Sequence, residues 1–67
     1  MPLIIVRTRE GVLSGKEQKK ELIEKMSAVM GEVLHDPGYI GRTTVIIEEI
    51  PNDNWGRGGK QVSDLES

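Results

Sequence analysis

The chain has 67 residues, no cysteine, a single histidine and a formal charge of −2. That composition excludes a disulfide framework and cysteine-ligated metal, and one histidine argues against structural zinc. The weak charge argues against nucleic acid or an anionic membrane as partner, and no apolar run approaches the ~20 residues of a membrane helix. The N-terminus lacks the basic and apolar regions of a secretory signal, so a single cytoplasmic domain over residues 1–67 is expected. A domain this small buries only about 60% of its unfolded surface. With disulfides and metal set aside, oligomerisation is the stabiliser left.

The chain opens Met1-Pro2-Leu3-Ile4-Ile5-Val6, and Leu3–Arg9 reads as a strand. Its apolar run has no polar residue on either face, so it needs cover on both sides. Ser14-Gly15-Lys16-Glu17 has the form of a capping box, with the Ser14 hydroxyl accepting a first-turn N–H and Glu17 reaching back. Leu22, Ile23, Met26, Val29, Met30, Val33 and Leu34 then form an apolar stripe at helical spacing. Glu21 stands four residues before Lys25 on the charged face. Gly31 within the helix points to a close approach by another backbone. Pro37-Gly38 ends the helix, and Thr43–Ile50 is a β-branched strand closed by Pro51. Strand, helix and strand make a parallel βαβ unit of α+β class, with a right-handed crossover. One helix covers one face of a two-stranded sheet; the other face needs a second copy. The tail from Asn52 to Val62 is turn chemistry around Trp55, read as a short hairpin that folds onto a neighbour.

Few residues have chemistry on their own. If Met1 is removed, Pro2 becomes a free secondary amine held at the end of a buried strand; otherwise it is an ordinary strand-initial proline with no N–H to leave unpaired. His35 suits the negative end of the helix dipole. Glu48 and Glu49 are adjacent in a strand, point to opposite faces and cannot share a proton. Gly56-Arg57-Gly58-Gly59-Lys60 lacks both the spacing and the Ser or Thr of a phosphate loop. The four arginines (Arg7, Arg9, Arg42 and Arg57) lie outside the lysine-rich helix, and their planar donor forks suit carboxylates.

Taken in order, the second-position proline, the helix continuing Glu17-Gln18-Lys19, the Val45-Ile46-Ile47-Glu48-Glu49 strand and the Asn54-Trp55-Gly56-Arg57-Gly58-Gly59 tail resemble the 4-oxalocrotonate tautomerase family. The resemblance extends from Pro2 to about Val62. It implies a βαβ subunit with a C-terminal hairpin, paired as dimers into a four-stranded sheet and commonly assembled as a trimer of dimers, a homohexamer. It also implies cofactor-free enol–keto chemistry on small carboxylates of the 2-hydroxymuconate or enolpyruvate type, with Pro2 as general base. A free α-amino group titrates near 8, and an apolar pocket lowers that value by disfavouring the cation. Leu3, Ile4 and Trp55 would supply the desolvation, and arginines would hold the carboxylate and the charge developing on the enolate.

The chain departs from the family at its arginines. Where members carry an arginine directly after the first-loop glycine, Gly11 is followed by Val12-Leu13, and Thr44 stands where another arginine precedes the second strand. Arg9 and Arg57 replace residues that are usually apolar. Arg42 lies two residues before Thr44, on the same strand face if the strand extends that far. The expected substrate-binding set is therefore Arg9, Arg42, Trp55 and Arg57. The alternatives are a dehalogenase, hydratase or decarboxylase of unsaturated or keto acids using protonated Pro2, and a non-catalytic oligomeric binding protein.

Overall fold

A computed structural model describes residues 2–65. Strand β1 (Leu3–Arg9) leads into helix α1 (Gly15–Val33), a 3-10 turn (Pro37–Arg42), strand β2 (Thr44–Ile50) and a second 3-10 turn (Asn52–Asn54). The short strands β3 (Gly56–Arg57) and β4 (Lys60–Gln61) and helix α2 (Val62–Leu65) complete it. β1 and β2 pair in parallel from Leu3 opposite Thr44 to Arg9 opposite Ile50, the expected βαβ unit. β3 and β4 form the tail hairpin. Its two-residue loop has Gly58 and Gly59 at φ of +61° and +83°, the double left-handed turn whose twist matches flanking strands.

The sheet has two different faces. Ile4, Val6, Val45 and Ile47 are half-buried, and on their side Lys19 of α1 pairs with Glu49. The opposite face presents Leu3, Ile5 and Ile46 at 57%, 44% and 42% exposure. There the Arg7 Nε donates to Glu48 at 2.8 Å, from the residue directly across the ladder. Glu48 and Glu49 therefore do face opposite ways, each with its own cation. The helix stripe divides in the same manner: Leu22, Met26 and Met30 are half-buried, while Val29, Val33 and Leu34 remain exposed. Among the described residues, Val62 is the one apolar side chain reduced to 9% exposure. The Cα radius of gyration is 15.3 Å, against about 11 Å for a compact chain of this length. A single chain thus has almost no core of its own.

Local chemistry differs from expectation at both helix ends. The Ser14 hydroxyl makes no capping bond; instead the Ser14 N–H donates to the Gln18 side chain at 2.8 Å. Gly15 has φ of +78°, so the first turn is irregular and the reciprocal bond moves from Glu17 to Gln18. At the other end the helix stops at Val33, ahead of Pro37-Gly38. His35 N–H donates to Glu32 O at 3.2 Å and Asp36 N–H to Gly31 O at 3.0 Å, a complete Schellman closure. His35 occupies its left-handed position with φ of 54°, where glycine is usual. Replacing His35 with Gly should raise stability by roughly 0.5–1 kcal/mol, several degrees in melting temperature for a domain this size. An unchanged or lower melting temperature would contradict that reading of the cap.

Gly31 is buried, and a Cβ there would lie 2.7 Å from Ile40 Cγ1 and 3.3 Å from the Asp36 carbonyl. The close neighbour is therefore chiefly the Ile40 side chain, with backbone second. The turn that carries Ile40, Pro37–Arg42, has Asp36 Oδ1 accepting from Gly38 N–H at 3.0 Å. It occupies a stretch where Pro-Gly reads only as a helix breaker.

Candidate active site

Pro2 lies half-buried just ahead of β1, its carbonyl accepting the Thr44 N–H at 2.9 Å. That bond ties the start of β1 to the start of β2, so the proline ring is held at one end of the sheet. The expectation concerning Met1 lies outside the described residues.

Arg42 belongs to the same end, but not to the strand. β2 begins at Thr44, so the condition for a shared strand face with Arg42 is not met. The residue closes the 3-10 turn instead, where the chain has not yet extended. Its guanidinium stands 5.2 Å from the Tyr39 ring centroid, a cation–π contact that orients an exposed arginine.

Arg9 lies at the far end. Seven residue steps at ~3.3 Å separate it from Pro2, roughly 23 Å. Its Nε donates to Asn52 Oδ1 at 3.2 Å, and Glu10 beside it accepts the Asn52 N–H at 3.2 Å and donates its own N–H to Ile50 O at 2.9 Å. These bonds clamp the exit of β1 to the exit of β2. No sequence signal marks Asn52 as the holder of Arg9.

Trp55 and Arg57 lie beyond that far end, in the tail. Trp55 is half-buried, and its Nε1 is buried without an acceptor among the described residues. Its carbonyl accepts the Val62 N–H at 2.9 Å, which extends the hairpin ladder by one pair. Arg57 is exposed, directly across from Lys60. Of the expected apolar lining, Leu3 faces the open side of the sheet and Ile4 the helix side. A single chain therefore brings Pro2 and Arg42 to one end of the sheet and leaves Arg9, Trp55 and Arg57 at the other. Two concave surfaces of the lone chain lie along α1, one around Glu17, Glu21 and Glu24 and one around Lys16, Lys19, Lys20 and Ile23, and Pro2 lines neither. Among the described residues, no three His, Cys, Asp or Glu side chains gather where a metal could be held, and no helix is long and apolar enough to cross a membrane.

A parallel βαβ unit with one covered sheet face and a C-terminal hairpin defines a small α+β protein of tautomerase-like architecture. The comparisons with known proteins agree. A family model described as "Tautomerase enzyme" matches residues 2–65. The chain is 39% identical over 66 residues to "Probable tautomerase K2" of Dickeya dadantii (strain 3937), covering 96% of this chain and 91% of that protein. It is 41% identical over 56 residues to 2-hydroxymuconate tautomerase of Pseudomonas fluorescens, covering 81% and 86%. Among solved structures, YwhB, described as a homologue of 4-oxalocrotonate tautomerase, superposes with a TM-score of 0.81 at 32% identity, over 97% of this chain and all of that one. A fused 4-OT described as an asymmetric trimer gives 0.82 at 33% identity; all of this chain matches 51% of that one. The chain belongs to the 4-oxalocrotonate tautomerase family and is an isomerase of the tautomerase type.

Proposed function

We propose that the chain catalyses enol–keto tautomerisation of a small unsaturated 2-hydroxy carboxylate, with Pro2 as general base once Met1 is removed. The observation that carries this is the placement of Pro2, fixed by the Thr44 N–H to the end of an apolar strand. The family match beginning at residue 2 supports it, as does a relative whose activity is on 2-hydroxymuconate. The neutral amine takes the proton of the enol hydroxyl. The electron pair shifts through the conjugated system, and the prolinium returns its proton to carbon, leaving the amine as it began. Arginines hold the carboxylate and stabilise charge on the enolate oxygen while the proton is in transit.

The working form is a homo-oligomer, which we take to be a trimer of dimers. A copy whose β1 runs antiparallel along the free edge of β1 would bring its Arg9 end to this chain's Pro2, closing the 23 Å gap of the single chain. The anion-binding role thus falls to some of Arg9, Arg42 and Arg57, and Trp55 completes the apolar wall. The test is to replace each of these arginines with Ala and measure turnover of 2-hydroxymuconate and phenylenolpyruvate. Losing a charged hydrogen bond to the substrate should lower kcat/KM by roughly 10- to 100-fold in at least one variant. Unchanged kinetics in all three would remove the arginines from the site.

A further inference from the structure

The hairpin carries a pair of cations that no acid among the described residues neutralises. Arg57 and Lys60 are directly opposed across the ladder, flanking the Gly58-Gly59 turn. Like charges in that register repel, at Cβ separations of about 4.5–5.5 Å. Neither is held by an ion pair or hydrogen bond among the described residues. Both are exposed. The acid of the tail that is engaged, Asp53, accepts instead from the Ser63 hydroxyl at 2.9 Å.

The same face of the ribbon carries Trp55. The pair Arg57–Lys60 is followed by Gly56–Gln61 and then by Trp55–Val62, whose N–H to O bond is 2.9 Å. Side chains alternate faces along a strand, so Trp55, Arg57 and Lys60 share one side, with the Trp55 and Arg57 backbones about 7 Å apart along the ribbon. A flat, half-buried ring beside two unneutralised cations suits one chemistry. The ring packs against a conjugated plane, the guanidinium offers a fork to a carboxylate, and the ammonium adds a second charge.

We propose that Lys60 acts with Arg57 as an anion clamp beside Trp55, binding a carboxylate of a planar conjugated acid, and is a specificity-determining residue of this enzyme. This rests on the carboxylate-binding reading above, and adds to it a residue, a face and a preference for flat unsaturated acids. The Gly58-Gly59 turn fixes the spacing of the two cations, so little order has to be gained on binding.

Trp55 is the one tryptophan of the chain, so its fluorescence reports occupancy without turnover. The assembled protein is titrated with cis,cis-muconate and with sorbate, a diene of the same length with a single carboxylate. Saturable quenching by muconate is expected, with weaker binding of sorbate. Lys60→Gln and Arg57→Gln should each raise the muconate Kd about tenfold, Lys60→Arg should restore most of the loss, and sedimentation should stay as in the parent protein. Absence of quenching, or an unchanged Kd in both Gln variants, overturns the clamp. A change of assembly state with unchanged Kd overturns it too and gives the pair to a contact between subunits. Pro2→Ala is measured beside them: lost turnover with retained quenching keeps the two claims separate. Lost turnover there, with unchanged Kd in the Gln variants, would reject the clamp and leave the proline reading standing.

Discussion

Pro2→Ala should lower kcat/KM on 2-hydroxymuconate by roughly 10²–10⁴-fold, the range that a positioned general base contributes. Alanine in that position still allows Met1 to be removed, so the variant exchanges a ring-fixed secondary amine for a mobile primary one. The structural cost of the exchange is small. The bond that anchors this residue uses its carbonyl, which accepts the Thr44 N–H in either variant. Circular dichroism and sedimentation should therefore match the parent protein while turnover falls. Activity within about twofold of the parent would remove Pro2 from the chemistry and favour a non-catalytic assembly. A protein in which Met1 is retained should be at least as inactive as the alanine variant, because an amide nitrogen has no basic lone pair.

Ile46→Asp should break the assembly. Ile46 and its ladder neighbour Ile5 sit at 42% and 44% exposure on the uncovered sheet face, beside Leu3 at 57%. Burying each such side chain against a second copy contributes about 1.5–3 kcal/mol, and a carboxylate in its place adds a desolvation cost. The lone chain has little with which to offset that loss, since no large side chain among the described residues is fully buried. The variant should sediment as a smaller species and melt at least roughly 10 °C lower. Turnover should fall with assembly, because Pro2 and Arg9 of one chain occupy opposite ends of the sheet. Glu49→Gln on the covered face is the control. It breaks only the Lys19 pair at a partly solvated position and should leave assembly intact. An Ile46→Asp protein of parent size and stability would contradict the account of the open face.

The main elements are legible in the sequence because each has strong local punctuation. β1 is bounded by Pro2 and by Glu10-Gly11, and its observed limits are those expected, Leu3–Arg9. β2 starts one residue later than expected, at Thr44, and Arg42 lies outside it, at the end of the 3-10 turn Pro37–Arg42. Pro37-Gly38 reads as an ending, yet it begins a 3-10 turn, because the helix has already closed through His35 in a conformation that histidine seldom adopts. The apolar stripe of α1 shows which residues seek cover. It does not show that Met26 and Met30 find it within the chain while Val29 and Val33 do not. The site is less legible for a geometric reason. Arg9, Arg42 and Arg57 look equivalent in composition, but parallel pairing sets Arg42 beside the proline end and Arg9 at the other. Lys60 gains its interest only from the register that sets it opposite Arg57.

The central claim is that an amine at Pro2 acts as a base, and the pH dependence of kcat/KM on 2-hydroxymuconate tests it most directly. On that claim the neutral amine would be the active form, and an apolar pocket would disfavour its protonated form, so its pKa should lie below the ordinary α-amino value near 8. The rate should therefore rise with pH on an ascending limb with an apparent pKa below 8 and then level. A rate that falls as pH rises through that range would show that the protonated amine does the work, and would give the chain to the acid-catalysed chemistry of dehalogenases, hydratases and decarboxylases instead.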